Sequence, residues 1–341
     1  MRIIDVEAHF FTEEYVGFLR TRKEPPRLKT VEEEGQKEEG LWFEPGFFAS
    51  RKRTLPLLLD LDRGRLAEMD GAGVTIQALS LAGPGCELFE PVEGTALARK
   101  TNDELAKVIR KHPGRFIGLA ALAPQDPEAA ADELERAVKE LGFKGAKINS
   151  HVRGGEYLDD KKYWLIFERA EKLGVAICLH PRMPSPAMIK PYADYGYGLA
   201  GAALGFAAET SLHAMRLIYS GVFDKYPELK IVLGHLGEAL PFWMDRMDRK
   251  FSLSTKLAIS GKPSDYIKNN FVMSFSGMFF LPAFLCVYLA LGAENMVFAS
   301  DYPFEDSKEA VQFIETAPIC DSDKHKICHA NAEKLFNMGQ S

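Results

Sequence analysis

Residues 116–148 read FIGLAALAPQDPEAAADELERAVKELGFKGAKI and contain one complete strand–helix–strand unit. The apolar runs Phe116–Leu122 and Lys144–Ile148 predict buried strands, and the charged amphipathic stretch Pro127–Leu141 between them predicts a helix. A helical crossover returns the chain to the same edge of a sheet, so the two strands should be parallel.

The same alternation of strand and helix repeats along the whole chain. Eight strands are predicted, at Arg2–Val6, Val74–Leu81, Phe116–Leu122, Lys144–Ile148, Val175–Leu179, Lys230–Gly234, Val272–Phe275 and Met296–Ala299. Eight such units in 341 residues predict an α/β fold, a (β/α)8 TIM barrel. The alternative is a doubly wound open sheet, but it would need a glycine-rich phosphate turn where the chain reads DVEAHF. Without an internal repeat or a linker, residues 1–341 are expected to form one domain.

Residues 21–55 interrupt this rhythm with a long insertion after the first strand, rich in charge, proline and aromatic residues. In a barrel that position lies at the C-terminal face, where active sites form. The insertion is therefore predicted to be a lid, and the alternative is a solvated surface loop with the acidic run Glu32–Glu39 exposed. Its aromatic residues are expected to meet substrate or another subunit: Trp42, Phe43, Phe47 and Phe48.

Composition and charge exclude several classes of protein. Hydrophobic residues make up 46% of the chain, which is enough for a large core and excludes a mainly disordered state. With 42 basic and 48 acidic residues the net charge is −6, which does not favour nucleic-acid binding. The five cysteines are scattered without CxxC spacing, so neither a disulfide framework nor a thiolate zinc site is expected. The start MRIIDVEAHF lacks the apolar run of a secretory signal, and a cytoplasmic protein is predicted.

The uncharged stretch Phe271–Gly292 is long enough to span a bilayer. Ser274, Ser276, Gly277 and Pro282 interrupt it, however, and buried α/β strands resemble such runs. A strand, a loop and a buried helix are therefore predicted here, with no membrane partner.

Polar side chains stand at the C-terminal ends of four predicted strands. They are Glu7 and His9 after the first strand, His180 after the fifth, His235 after the sixth and Asp301 after the eighth. The ends of parallel barrel strands meet at one mouth, so these residues should converge despite their distance along the chain. Carboxylates and imidazoles without thiolates are typical of a catalytic site for Zn²⁺, Mn²⁺ or Mg²⁺.

The sixth strand is followed by the sequence HLGE. If a helix starts there, Glu238 lies in its first turn and can orient the imidazole of His235. His151 follows the fourth strand, and the sequence leaves open whether it belongs to the functional site or is a structural residue. The other histidines lie in predicted helices or turns and are expected to be structural: His112, His213, His325 and His329.

The motifs EAH, LHP, GHLGE, SDYPFE and HANAEKLF resemble the amidohydrolase superfamily, in its amidohydrolase-2 branch. The chain is most similar to metal-dependent, non-oxidative decarboxylases of hydroxybenzoates, and the likeness runs through nearly its whole length. It implies a single amidohydrolase-type barrel domain over residues 1–341 and one divalent ion, Mn²⁺ or Zn²⁺, with Mg²⁺ as a further candidate. The implied metal ligands are Glu7, His9, His180 and Asp301.

The resemblance also implies roles beyond the ligands. His235 and Glu238 become a catalytic pair, and Arg246 a substrate-binding residue that can reach a site across a subunit interface. Typical hydrolases of the superfamily open with H-x-H; Glu7 replaces the first histidine, as in the hydroxybenzoate decarboxylases. Lys147 lies where some members carry a carboxylated lysine bridging two metals, and it is interpreted as structural in a mononuclear site.

This set of residues can decarboxylate an ortho-hydroxy aromatic acid, releasing CO2 and a phenol. Asp301 would give a proton to the ring carbon, and His235 would contact the ortho oxygen or relay the proton. One alternative is a metal-dependent hydrolase of an ester, lactone or amide, with Asp301 as the base; another is a catalytically silent binding protein. The aromatic residues expected around a flat substrate are Phe10, Phe11, Phe48, Tyr302 and above all Phe304.

The resemblance implies a homodimer or homotetramer. A small-residue, apolar helix over residues 198–217, GLAGAALGFAAETSLHAMRL, is a candidate interface, although packing within one chain would give the same pattern.

Overall fold

The computed structural model describes residues 1–33, 36–43, 46–253 and 259–339. Within them, eight parallel strands form one sheet in which every predicted strand is found. In their order around the sheet they are β1 (Ile4–Phe10), β5 (Ile76–Leu81), β6 (Phe116–Ala121), β7 (Gly145–Asn149), β8 (Ala176–His180), β9 (Ile231–Leu233), β10 (Phe271–Ser274) and β11 (Met296–Val297).

The sheet curls round until its first and last strands meet. The N–H of Val6 donates to the carbonyl of Phe298 at 3.0 Å, and the N–H of Asp301 donates to the carbonyl of Glu7, also at 3.0 Å. Further along, the N–H of His9 donates to the carbonyl of Tyr302 at 2.7 Å. The predicted α/β TIM barrel is confirmed, and the seam between β1 and the segment after β11 is where it closes.

The helices lie mainly outside the barrel. They are α1 (Glu13–Thr21), α2 (Leu55–Leu59), α3 (Arg63–Ala72), α4 (Pro91–Lys111), α5 (Pro127–Lys139), α6 (Trp164–Leu173), α7 (Gly196–Gly198), α8 (Gly205–Ser220), α9 (Val222–Lys225), α10 (His235–Glu238), α11 (Leu240–Lys250), α12 (Pro263–Asn270), α13 (Leu281–Leu291), α14 (Ser307–Thr316), α15 (Asp321–His325) and α16 (Asn331–Leu335). Short polar side chains cap several of them; the carboxylate of Asp126, for example, accepts the N–H of Ala129 at the start of α5.

The insertion differs from the expected loop. Helix α1, capped by the hydroxyl of Thr12, follows β1 directly, and an antiparallel sheet of three strands follows it. These strands are β2 (Arg27–Glu33), β3 (Gln36–Phe43) and β4 (Phe47–Ser50). Leu28 pairs with Leu41, which pairs with Ala49, and all three are buried. The charged residues between them hid this alternation in the sequence. Of the predicted acidic run and the aromatic stretch beyond it, residues 34–35 and 44–45 lie outside the described residues.

Apolar packing fills two regions of the barrel. One large cluster lies between the strands and the surrounding helices. A second lies inside the barrel, where Ile4, Val6 and Val232 pack with Phe336 from the end of α16. The uncharged run at 271–292 forms β10, a loop and α13, as predicted, and no helix in the described part of the chain is long and apolar enough to cross a membrane.

Candidate metal centre

The strand ends bring four of the predicted residues together at the mouth of the barrel. Glu7 and His9 come from β1, His180 from the end of β8, and Asp301 from the turn after β11. One ligand atom from each lies within 4.8 Å of all the others. Glu7 and His9 are buried, and the other two are nearly so. The geometry therefore brings together the carboxylates and imidazoles that the sequence analysis placed in one metal site.

Glu7 holds the feature that most favours a cation. Its Oε2 accepts hydrogen bonds from the hydroxyls of Ser276 at 2.8 Å and Ser274 at 3.0 Å. Its Oε1 is buried, has no hydrogen-bond partner among the described residues, and lies 3.5 Å from Nε2 of His180. A buried carboxylate oxygen without a partner is costly, and a divalent ion at this point would satisfy it. The residues present fit a metal.

His180 is oriented as a neutral ligand. Its Nδ1 lies 3.0 Å from Oδ1 of Asn149, an amide oxygen that carries no proton and can only accept, so Nδ1 must donate. The carboxylate of Glu87 fixes Asn149 by accepting its backbone N–H at 2.7 Å and its side-chain N–H at 2.8 Å. Burial, followed by the charge of Lys147, lowers the pKa of His180 well below its usual value. Nε2 is therefore left with a free lone pair directed at the centre.

Asp301 lies between two imidazoles. Its Oδ1 is 2.9 Å from Nε2 of His9, and its Oδ2 is 3.9 Å from Nε2 of His235. Burial alone would raise the pKa of Asp301, but the hydrogen bonds from His235 and His9 outweigh it and hold the pKa below its usual value. Nδ1 of His9 lies 3.1 Å from the hydroxyl of Ser80, so both ring nitrogens of His9 have partners.

His235 and Glu238 form the predicted pair. Nδ1 of His235 lies 2.9 Å from Oε1 of Glu238. Burial would lower the pKa of His235, but the Glu238 carboxylate and the contact with Asp301 raise it well above its usual value. Burial raises the pKa of Glu238. The two pKa directions thus favour a carboxylate at Asp301 and a protonated imidazole at His235 facing it.

The backbone that carries this pair is strained. Element α10 was expected to start a right-handed helix, but φ is positive from His235 to Ala239, with values of 51°, 58°, 71°, 51° and 63°. The expectation that Glu238 lies in the first turn of a right-handed helix is wrong, since that helix, α11, begins only at Leu240. Left-handed conformations cost energy for residues other than glycine and concentrate at functional sites. Asp301 (φ 67°) and His151 (φ 44°) share this property.

A cavity of about 430 Å³ opens above the ligands. Its wall includes His180, His235 and Asp301, and above them Phe304, Arg51 and His151. The guanidinium of Arg51 lies 5.5 Å from the centroid of the Phe304 ring. The inserted sheet contributes Phe43, whose ring stacks on Tyr197 with centroids 6.4 Å apart.

Four of the five aromatic residues expected around the substrate lie elsewhere. Phe10 and Phe11 are fully buried in the core, and Tyr302 is buried under the guanidinium of Arg65. Phe48 does not line the cavity; of the five, Phe304 does. Sequence reasoning placed these rings by their nearness to strand ends, but only the direction of each side chain decides whether it faces core or cavity.

Arg246 is not part of the cavity wall within this chain. It lies on α11 and is exposed to solvent. The first turn of the same helix carries the exposed rings of Phe242 and Trp243.

Sequence reasoning missed several residues of the site. Ser80, Asn149, Ser274 and Ser276 hydrogen-bond to the cluster, and Arg51 lines the cavity. The serines and Asn149 stand at or just after strand ends, like the ligands themselves, and that position was the available signal. Lys147, in the middle of β7, is buried with Nζ 3.4 Å from Oδ1 of Asn149, and burial lowers its pKa to about 8. His213, expected to be structural, is buried and accepts the N–H of Leu158 at 3.0 Å.

Comparison with known proteins gives consistent matches. The family model described as "Amidohydrolase" matches residues 4–338. The gamma-resorcylate decarboxylase of Polaromonas sp. (strain JS666) is 39% identical over 292 residues, covering 83% of this chain and 89% of that protein. The structure of 5-carboxyvanillate decarboxylase from Sphingomonas paucimobilis has a TM-score of 0.88 and 36% identity, covering 98% of this chain and 99% of that one.

A third similar protein was solved with a metal. The dihydroxybenzoic acid decarboxylase of Polaromonas sp. JS666, with bound manganese and the inhibitor 2-nitroresorcinol, has a TM-score of 0.86 and 35% identity. The match covers 100% of this chain and 98% of that one.

Proposed function

Because this chain belongs to the amidohydrolase family, we propose that it is a metal-dependent, non-oxidative decarboxylase of an ortho-hydroxy aromatic carboxylic acid. The reaction releases CO2 and a phenol, which makes the enzyme a carbon–carbon lyase. The observation that carries the proposal is Oε1 of Glu7, which has no hydrogen-bond partner among the residues that the structure describes and lies in a four-residue candidate ligand cluster that opens on an aromatic-walled cavity. Similar chains that carry decarboxylase names support it.

Glu7, His180 and Asp301, with His9 beside Asp301, are the residues that would hold one divalent ion. Manganese is the first candidate, since a similar decarboxylase contains it; Zn²⁺ or Mg²⁺ would fit the same nitrogen and oxygen donors. When bound, the ion supplies Lewis acidity to the substrate carboxylate and ortho oxygen. Cavity, ligands and inserted sheet then belong to one functional unit, in which the insertion at residues 21–55 acts as the lid.

Asp301 is the residue proposed to carry the proton to the ring. Its neighbours keep it ionised before substrate arrives, so it can accept the proton of the ortho hydroxyl. It then donates that proton to the ring carbon that bears the carboxylate. The bond between that carbon and the carboxylate breaks as CO2 leaves, and the ring regains aromaticity. The product is a phenolate.

His235 completes the proton balance. It is held as an imidazolium by Glu238, and its Nε2 faces Asp301 at 3.9 Å. From there it can stabilise negative charge on the ortho oxygen and protonate the phenolate. One proton from solvent then restores His235, so each turnover consumes one proton overall. Phe304 lines the cavity, where it can pack on the ring of the substrate.

Arg246 is proposed to act from a second copy of the chain. Helix α11 packs against α13, and this face exposes Phe242, Trp243, Phe280 and Leu281. Exposed apolar side chains of this size mark protein interfaces, so a homodimer or homotetramer is expected. An interface here would bury α11 and could bring Arg246 to the partner's cavity, where it can pair with the substrate carboxylate.

The test uses metal-analysed protein loaded with Mn²⁺. It is incubated with 2,6-dihydroxybenzoate, 2,3-dihydroxybenzoate, salicylate and 5-carboxyvanillate, while the acid's ultraviolet band and the CO2 released are followed. We expect at least one acid to be converted to its phenol, and Asp301→Asn to lose activity by a factor of about 10² or more. Hydrolysis of esters or lactones without loss of any of these acids would overturn the proposal.

A further inference from the structure

The seam of the barrel holds three of the four candidate ligands. Glu7 and His9 lie on β1, and Asp301 lies just across the seam. Strand β1 does not pair regularly with β5: Asp5 is opposite Gln77, yet Ala8 is opposite Leu79. Between Asp5 and Ala8, β1 therefore has one residue more than β5, an irregularity of the β-bulge type that includes Glu7 and interrupts the regular ladder.

The carboxylate of Asp5 replaces the missing bonds. Its Oδ1 accepts the backbone N–H of Glu7 at 3.2 Å and that of Ser300 at 3.0 Å. Its Oδ2 accepts the hydroxyl of Ser300 at 2.5 Å and the side-chain amide of Gln77 at 3.3 Å. Asp5 is fully buried. One side chain therefore fixes the backbone of Glu7 and the residue that precedes Asp301.

The network continues to the third ligand. Nη1 of Arg65 donates to Oε1 of Gln77 at 3.4 Å, and Nη2 of Arg65 donates to the backbone carbonyl of His9 at 2.7 Å. Arg65 is also fully buried. A guanidinium can only donate, whereas four donors surround the Asp5 carboxylate. The amide of Gln77 lies between them and can satisfy both only with its oxygen toward Arg65 and its nitrogen toward Asp5. The donor and the acceptor of each hydrogen bond in the network are therefore fixed.

We propose that Asp5 is a positioning residue that sets the spacing of Glu7, His9 and Asp301 for the metal ion. It touches neither the ion nor the substrate, and acts through the backbone at the bulge and at Ser300. The inference rests on the proposed function, because it assumes that the cluster binds a metal. The competing explanation is that the network only stabilises the seam, in which case its loss would lower stability without a specific effect on metal binding.

The variant Asp5→Asn separates the two explanations. An asparagine offers one acceptor oxygen, and its amide nitrogen would face groups that also donate. These donors cannot reorient, because the backbone fixes some of them and Arg65 fixes the amide of Gln77. Residues that orient metal ligands typically change affinity by 10- to 100-fold. We expect Mn²⁺ to bind at least tenfold more weakly to Asp5→Asn, measured by competition with a fluorescent chelator. The visible absorption spectrum of the Co²⁺-loaded variant should also change, since it reports ligand geometry.

Asn102→Asp is the matched control. Asn102 is a buried amide that accepts the N–H of Ala121 at 2.8 Å and donates to Glu133 at 2.8 Å. This network joins α4, β6 and α5 and includes none of the four ligands. The control should lower the melting temperature and leave the Mn²⁺ affinity within twofold of the wild type, with an unchanged Co²⁺ spectrum.

Ser300→Ala provides a second variant if Asp5→Asn does not fold. It removes one hydroxyl donor to Asp5 and keeps both backbone N–H donors. We therefore expect an affinity loss of about threefold, smaller than the change typical for loss of a residue that orients a metal ligand. Wild-type affinity in whichever of these variants folds would overturn the inference and leave the proposed function intact. A wild-type protein that binds no Mn²⁺ would overturn both.

Discussion

Oε1 of Glu7, buried without a hydrogen-bond partner among the described residues, predicts that a bound metal ion stabilises the fold and that most of this effect depends on Glu7. Two perturbations are combined: removal of divalent ions with a chelator, and the substitution Glu7→Gln. The wild type should melt at a lower temperature without metal and at a rising temperature as free Mn²⁺ increases. Glu7→Gln should show little or none of this rise.

The size of the rise follows from binding linkage. An ion that binds only the folded state adds about 2.7 kcal/mol at a free concentration 100 times its Kd, and about 4.1 kcal/mol at 1,000 times. Unfolding of a 341-residue chain, at about 2.1 cal/mol/K per residue, has an entropy of about 0.7 kcal/mol/K. The Tm should therefore rise by about 4 °C and about 6 °C at these two concentrations.

A separate prediction concerns the melting temperature of Glu7→Gln without metal. Glutamine removes a buried charge close to Asp301, and the hydroxyls of Ser274 and Ser276 can rotate to meet an amide. Without metal, Glu7→Gln should therefore melt within about 2 °C of the wild type, or above it, given the unfolding entropy of about 0.7 kcal/mol/K. The melts are followed by circular dichroism at 222 nm with chelator and at stepwise Mn²⁺ concentrations.

Glu209→Gln is the control for this experiment. Glu209 is fully buried and also has one carboxylate oxygen without a hydrogen-bond partner among the described residues, but it is not part of the ligand cluster. It should keep the wild-type response to Mn²⁺. An equal rise of Tm in Glu7→Gln and wild type would refute the reasoning, as would a lost response in Glu209→Gln.

Three further predictions follow from the site and its surroundings. Because Glu238 raises the pKa of His235, their ion pair should stabilise the metal-free protein fully below the unfolded pKa of about 6.5, and progressively less as pH rises through the folded pKa. Urea melts between pH 6 and 10 measure this as the difference in unfolding free energy between wild type and Glu238→Gln. That difference should shrink as pH rises, and a constant difference would contradict the prediction. Asn149→Leu leaves Nδ1 of His180 with only the backbone carbonyl of Pro181 as acceptor, at 3.0 Å, and should weaken Mn²⁺ binding by about 10-fold or more in chelator competition. Unchanged affinity would contradict the role given to Asn149 in orienting the ring. Phe242→Asp places a charge on the exposed face of α11 and should dissociate the oligomer in sedimentation velocity, whereas an unchanged sedimentation coefficient would exclude this face as the interface.

The fold was predictable because its signals are local. Each barrel strand is an apolar run of a few residues and most are followed by an amphipathic helix, so periodicity identifies them one at a time. The convergence of the candidate ligands was predictable for a related reason. Once the strands are parallel, the residues at their C-terminal ends must meet at the mouth, and Glu7, His180 and Asp301 occupy those positions.

The inserted sheet was harder to predict for a physical reason. Its strands present buried residues such as Leu28 and Leu41 on one face only, and lysine and glutamate on the other make the segment look like a solvated loop. The pairing that makes it a sheet lies between strands and leaves no periodic signal in any one of them. The same limit applies to Phe10 and Phe11, whose rings point into the core although they follow two candidate ligands.

Local sequence was enough to predict the barrel, the residue types of the candidate metal cluster and the pairing of His235 with Glu238, because each depends on the order of residues along one strand or one turn. The folded chain was needed to see that Oε1 of Glu7 is buried with no hydrogen-bond partner in the described part of the chain, and that Asp5 joins the irregular part of β1 to Ser300. It also decided that HLGE forms a left-handed turn. These features arise from contacts across the seam and the mouth between residues up to 295 positions apart, as for Asp5 and Ser300. Contacts over such distances depend on the closed barrel and have no counterpart in local sequence.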